Sequence, residues 1–442
     1  MTCAVITIFL IGYLGIAFES VLKVNKAALA LLMSVVSWSV LVIGAKDETG
    51  MSFLQHLADT MQTVLFLMGS MTIVEVLDTN GCFHFITRKM QSRSSRILLL
   101  KTVGLTFALS SVLDDMTTCM LMVMVLRKLV ADTSQRWLLA SMVILAANSG
   151  GCFSPIGDVT TIMLWIHGSV STIGLMKSLI LPALTFVILP TLLVLPVVKP
   201  AVCRMTEEVE MRHSAGEAMP ASYRIVLLVV GIAGLLSVPL FRSVTGLPPF
   251  VGVMGVLSIV WIVTEVSFVY VPQSLSRDYD EVRLSNVIKK IDMPTLMFFL
   301  GVLLAVGALE ETGILAHLGT WLRESVSSVY YVDMIIGMLS AVIDNVPLVA
   351  SAMSMYPVET ATVADSLQPY AQDGTFWQLL AYCAGTGGSL LVIGSASGVV
   401  VMGLEGVTFG WYLRHISWRV LIGYLAGIAV YWAMHPLIPS GT

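Results

Sequence analysis

Ser149-Gly-Gly-Cys-Phe-Ser-Pro-Ile-Gly157 and Thr386-Gly-Gly-Ser-Leu-Leu-Val-Ile-Gly394 carry three glycines at one spacing in two distant parts of the chain. Each lies inside a long apolar run, about 137–167 for the first and about 376–403 for the second. The reading places a helix break at Asn148-Ser-Gly-Gly in one run and at Gly385-Thr-Gly-Gly in the other. Carbonyls freed by such a break find no water in hydrocarbon, so each break has to line a polar cavity or an ion site.

The likeness extends outward from these stretches in the same order. Leu109-Ser-Ser-Val-Leu-Asp-Asp115 matches Leu339-Ser-Ala-Val-Ile-Asp-Asn345, and Thr79-Asn-Gly81 matches Glu311-Thr-Gly313. The three matches stand at a near-constant separation of roughly 230–240 residues, the mark of an internal repeat. With an odd number of spans per copy the two copies face opposite ways. Inverted repeats with broken helices meeting at mid-membrane are the architecture of secondary transporters.

Composition sets the medium. The 442 residues are 57% hydrophobic and 12% charged, about half of the roughly 25% charge of a soluble domain. Apolar segments recur from residue 3 to residue 438, and mean hydropathy is +0.88 over the whole chain. These segments are long and continuous, unlike the short alternating strands of a barrel, so they read as membrane helices. Residues 3–18 lack a basic n-region and read as a retained helix rather than a signal peptide. No basic tract suggests nucleic acid. Six cysteines without CxxC spacing and seven histidines without HExxH point away from zinc or a disulfide framework, and no cofactor is expected.

Two apolar pairs are too tightly joined to be ordinary spans. Segments 97–113 and 116–130 are separated only by Asp114-Asp115, with Arg88, Lys89, Arg93, Arg96 and Lys101 before them and Arg127, Lys128 and Arg136 after. Both flanks are basic, so both are cytoplasmic, and the pair is a re-entrant hairpin. Segments 333–343 and 346–356 form a second hairpin around Asp344-Asn345-Val346-Pro347, entering from the other side. The expected fold is an all-α polytopic membrane protein, an inverted repeat of two five-span halves, each with one re-entrant hairpin and one broken helix. Residues 1–198 form the first repeat, with its hairpin at about 97–130. Residues 199–223 form a cytoplasmic linker, and 224–442 the second repeat, with its hairpin at about 333–356. About ten spans in a cell inner membrane put every basic loop inside and both termini outside.

The tips and breaks gather Asp114, Asp115, Asp158 and Asp344 with Ser110, Thr117, Thr118, Asn148, Thr160, Thr161, Ser340, Asn345 and Ser395, and no Lys or Arg. Buried carboxylates cost several kcal/mol unless paired, protonated or bound to a cation. Protons and a hard monovalent cation such as Na+ or Li+ are therefore the natural partners. Asp114 and Asp344 are also placed to cap the outgoing hairpin helices. Asp115 stands where the second repeat has Asn345, as a coordinating or proton-carrying acid or as a solvated neighbour. Glu75, inside the third span, either snorkels to the headgroups or serves transport. Asp292 and Glu310 read as interfacial, and the 26 methionines as membrane packing.

Leu109-Ser-x-x-Leu-Asp-x-x-Thr-Thr118, Asn148-Ser-Gly-Gly with Pro155-Ile-Gly-Asp-Val-Thr-Thr161, and Val342-Ile-Asp-Asn-Val-Pro347 resemble the signature stretches of NhaD-type sodium/proton antiporters. These belong to the ion transporter superfamily, beside divalent anion/sodium symporters and arsenite permeases. The resemblance covers both halves. It implies a homodimer with a scaffold domain and a mobile transport domain that serves pH homeostasis. It also implies that Asp114, Asn148, Asp158, Thr160, Thr161, Asp344 and Asn345 serve transport, with Na+ held at Asp114, Asp344, Asn148 and Asn345. Ser110 and Ser340 are helpers by the same resemblance, and Gly150 and Gly387 mark its glycine motifs. Asp114-Asp115 departs from the family's usual Asp-Asn. Two other readings are a sodium-coupled carboxylate or oxyanion carrier, whose anion four acids would repel, and an intramembrane aspartyl protease, whose motif Pro155 spoils.

Overall fold

The computed structural model describes residues 2–17, 23–44, 49–82, 89–90, 92, 94–198, 221–269, 284–326, 328–342, 345–358 and 368–434. Its regular structure is helical. In the first half, α1 is Thr2–Ala17, α2 Lys26–Gly44, α3 Thr49–Thr79, α4 Ser95–Ser110, α5 Asp115–Leu129, α6 Thr133–Cys152, α7 Val159–His167 and α8 Thr172–Val194. In the second, α9 is Ala221–Thr245, α10 Pro249–Val269, α11 Leu284–Val287, α12 Met293–Glu311, α13 Ile314–Ser325, α14 Val329–Leu339, α15 Asn345–Met355, α16 Thr375–Gly387, α17 Ala396–Glu405 and α18 Phe409–Met434. Seven of these are long and apolar enough to cross a membrane. The chain is thus an all-α polytopic membrane protein, as its composition requires.

Helix contacts come in reciprocal pairs. α2 packs on α12 as α10 packs on α3, and α4 packs on α6 as α14 packs on α16. α5 meets α17 as α15 meets α7, while α6 crosses α16 and α8 lies along α18. Helices α1–α3, α9, α10 and α12 pack among themselves, and α4–α8 with α14–α18 form a second group. α12 against α15 and α3 against α7 join the two groups. α13, an amphipathic helix that contains Arg323 and Glu324, packs on α12 and α15.

The helix breaks are displaced from their expected positions. Asn148-Ser-Gly-Gly is helical to the end of α6 at Cys152, and the break covers 153–158. Gly385-Thr-Gly is likewise helical, followed by a 3-10 turn Gly388–Leu390 and a break over 391–395. The glycines serve close approach instead. A Cβ on Gly150 would run into the carbonyl oxygen of Phe107, and one on Gly387 into that of Gly337. Glycine is the residue that lets backbones come this close. At each crossing a hairpin serine completes the contact: Ser110 Oγ donates to Ala147 O at 2.6 Å, and Ser340 Oγ to Ala384 O at 2.9 Å. Each hairpin's first helix is thereby fixed on the helix that carries the break.

Candidate cation and proton site

The site is built from helix N-termini. Four backbone N–H groups at such an end lack intrahelical partners, and a short polar side chain satisfies them best. Asp114 caps α5, accepting from Thr117 N at 2.8 Å and Thr117 Oγ1 at 2.5 Å. Asp158 caps α7, accepting from Thr160 N at 3.2 Å and Thr160 Oγ1 at 2.9 Å, while Thr161 Oγ1 donates to its carbonyl at 2.9 Å. Ser395 caps α17, accepting from Gly398 N at 3.2 Å. Asn345 opens α15 and is buried; Asp344 lies outside the described residues. Pro347 falls in that first turn, where a missing N–H costs nothing.

Capping is one role for Asp114 and Asp158, and their surroundings hold a second. Asp115 is 5% exposed; its Oδ1 accepts from Met116 N at 2.9 Å. Its Oδ2 lies 2.6 Å from Ser397 Oγ, which lies 2.6 Å from Asn148 Oδ1 as well. Asn148 Nδ2 donates to Ser389 Oγ at 2.8 Å and Ser395 Oγ at 3.1 Å. The first hairpin tip, the helix before the first break and the second break thus meet in one buried polar cluster. Asp158 faces the crossing of α6 and α16, where a Cβ on Gly385 would stand 3.2 Å from its Oδ2. Thr118 Oγ1 is buried without a hydrogen-bond partner among the described residues. Elsewhere among the described residues, Glu405 is ion-paired with Arg127 and Arg136, and His56 Nε2 lies 3.1 Å from Glu311 Oε1.

Several expected residues have other work. Ser110 and Ser340 commit their hydroxyls to the carbonyls of α6 and α16 and position the hairpins, as Gly150 and Gly387 do. Asn148 is bridged through Ser397 to Asp115, and none of its described hydrogen bonds goes to Asp114 or Asn345. Glu75, bonded by Thr79 at 3.2 Å, lines a cavity of about 460 Å³ with Asp78, Lys290, Asp292 and Thr117, the last bonded to Asp114. A second cavity, of about 550 Å³, lies between α3, α7, α12 and α15, bordered by His56, Asp59, His167, Glu310 and Ser354. Ser397 and Ser389 were missed. The repeat held the signal for Ser397, since Ser395-Ala-Ser397 aligns on Asp158-Val-Thr160.

A helical membrane protein with buried acids, amides and hydroxyls at facing helix breaks is an ion transporter by class. The family described as "Citrate transporter" matches residues 13–372. "Sodium/proton antiporter 1" of Arabidopsis thaliana is 41% identical, covering 98% of this chain and 73% of its own length. "Sodium/proton antiporter 2" of the same plant is 40% identical over 97% and 98%. The "Na(+)/H(+) antiporter NhaD" of Vibrio cholerae is 29% identical over 97% and 91%. The chain belongs to this transporter family, among the NhaD-type sodium/proton antiporters. It is a transporter and not an enzyme, so the protease reading falls.

Proposed function

We propose that the chain is a secondary active transporter that exchanges Na+ or Li+ for H+, cation and proton competing for buried aspartates. The observation that carries this is the Ser397 hydroxyl set 2.6 Å from both Asp115 Oδ2 and Asn148 Oδ1. A hydroxyl owns one hydrogen, and both of these neighbours are drawn as acceptors. A protonated Asp115 supplies the second hydrogen: its carboxyl donates to Ser397, and Ser397 donates to Asn148. Turning the Asn148 amide over satisfies the same contacts with the carboxylate ionised, so the amide orientation reports the proton. With the proton gone, carboxylate, hydroxyl and carbonyl oxygens offer the hard donor set that suits Na+. Asp114, Asp158, Asp344 and Asn345 complete the site in this reading. A charged cluster crosses an apolar barrier only when a proton or cation neutralises it, which makes exchange obligatory.

The reciprocal helix contacts support an inverted repeat of residues 1–198 and 224–442 joined by a cytoplasmic linker. The two helix groups supply a scaffold (α1–α3, α9, α10, α12) and a moving transport unit, with the two cavities as access from opposite sides. A homodimer in the cell inner membrane, both termini outside, completes the reading. In everted vesicles, adding Na+ or Li+ to a preformed pH gradient should relieve quenching of a pH-sensitive dye. The family's description favours one other substrate, a carboxylate carried with sodium. Asp115 lies close to both Asp158 and Asp114, so an anion entering the site would meet repulsion. Citrate-dependent sodium uptake without proton exchange would establish that reading instead.

A further inference from the structure

Asp333 lies on α14, the first arm of the second hairpin, and is 0% exposed. Neither of its carboxyl oxygens has a hydrogen-bond partner among the described residues. The titratable groups that face it are Tyr330 on its own helix, Cys383 on α16, and Tyr424 and Tyr431 on α18. None of these is a cation. Two of the phenols are engaged elsewhere, Tyr424 donating to Met334 O at 3.1 Å and Tyr431 to Gln378 Oε1 at 2.9 Å. In the aligned first hairpin the same place holds Val103. Packing at this position therefore asks only for an apolar side chain, and the acid is an addition.

A carboxylate with neither cation nor donor, inside a membrane protein, is among the costliest groups to bury, and the neutral acid removes that cost. We propose that Asp333 is a second proton-carrying site, separate from the cluster of Asp114, Asp115 and Asp158 and not in competition with the cation. It holds its proton in the conformation described here. When the transport unit carrying α14, α16 and α18 moves against the scaffold and water reaches the site, the carboxyl O–H bond breaks and the proton passes to that water, leaving a hydrated carboxylate. Cys383 neighbours both Asp333 and Cys152, and Cys152 neighbours Asp158, so two thiols lie along the way between the two sites. The inference rests on the exchange reading and adds one proton to each turnover.

Two measurements test it on purified, full-length protein. The first is infrared spectroscopy of the protonated-acid carbonyl stretch at neutral pH, in wild type, Asp333→Asn and Asp333→Val. A band present in wild type and lost in both variants is expected, and an unchanged band overturns the assignment. Valine, the residue of the other hairpin, serves if asparagine does not fold there. The second is the ratio of H+ to Na+ moved in proteoliposomes, read from the pH gradient that balances a known sodium gradient. The variants should bind Na+ as wild type does but move one proton fewer per cycle; an unchanged ratio overturns the carrying role. Wild-type liposomes without any exchange would sink the exchange reading, while the infrared result would still report whether Asp333 holds a proton.

Discussion

At Asp115 the chain has an acid that joins the first hairpin tip to the second break through one serine hydroxyl. Replacing it by Asn should leave a cluster that still binds Na+ but displaces fewer protons in doing so. The pH dependence of Na+ binding should flatten, and an unchanged slope would make Asp115 a bystander. Ser397→Ala strips the bridging hydroxyl and leaves Asn148 Oδ1 and Asp115 Oδ2 short of a partner, a loss of about 1–3 kcal/mol in a buried site. Its unfolding midpoint should fall, and its Na+ affinity with it. Asp114→Asn and Asp344→Asn should abolish exchange while the protein still inserts; wild-type exchange in either would remove that residue from the site. At this scale the acids were legible because a carboxylate in an apolar run has to be explained by chemistry. Ser397 was not, since a serine near a helix start is ordinary until its partners from α5 and α6 are in place. Asp333, at the start of the 333–343 segment, reads in the sequence as a charge flanking the second hairpin, and only its burial within α14 reveals it.

Among the elements, the glycine pairs test whether the hairpins are held rigidly on the broken helices. Gly150→Ala sets a methyl group against the Phe107 carbonyl, and Gly387→Ala sets one against Gly337, backbone atoms that cannot step aside. Overpacking of this kind costs about 1–3 kcal/mol. Thermal unfolding followed by intrinsic fluorescence should show both variants destabilised, with exchange impaired. Gly104, on the exposed side of α4, has nothing within 4 Å of a built Cβ. Gly104→Ala should gain up to about 1 kcal/mol from helix propensity, and equal behaviour of the three variants would show that close approach is not what the motif provides. These motifs were recognised in the sequence, yet their role was misplaced. A Gly-Gly pair reads as a break because glycine weakens a helix, whereas here the neighbours hold the helix through the pair and the chain opens only afterwards. Sequence spacing carries no record of what lies across the crossing. Similarly, Arg127 and Arg136 counted as loop charges, but both clamp the buried carboxylate of Glu405 at the end of α17.

For the whole molecule, two consequences of the inverted arrangement are open to direct test. Cysteines placed at 101 and 128 should react with a membrane-impermeant reagent from the cytoplasmic side, and those at 324 and 359 from outside. Labelling of the two members of either pair from opposite sides would replace that hairpin by a full span. The class of fold was evident from hydropathy alone, since no soluble or barrel architecture accommodates runs of this length. The order of motifs supplied the repeat, and the reciprocal contacts of α2 with α12 and α3 with α10 give it a spatial counterpart that no single segment could announce. The central claim is that Na+ and protons exclude each other at one set of buried aspartates. Isothermal calorimetry of Na+ binding to the purified protein, repeated across pH, tests it most directly. Mutually exclusive ligands are reciprocally linked, so below the pH at which the site loses its protons the Na+ affinity should weaken roughly tenfold per pH unit for each proton displaced. A Na+ affinity that stays constant from about pH 6 to about pH 9, where competing protons would have to leave, would contradict the shared site.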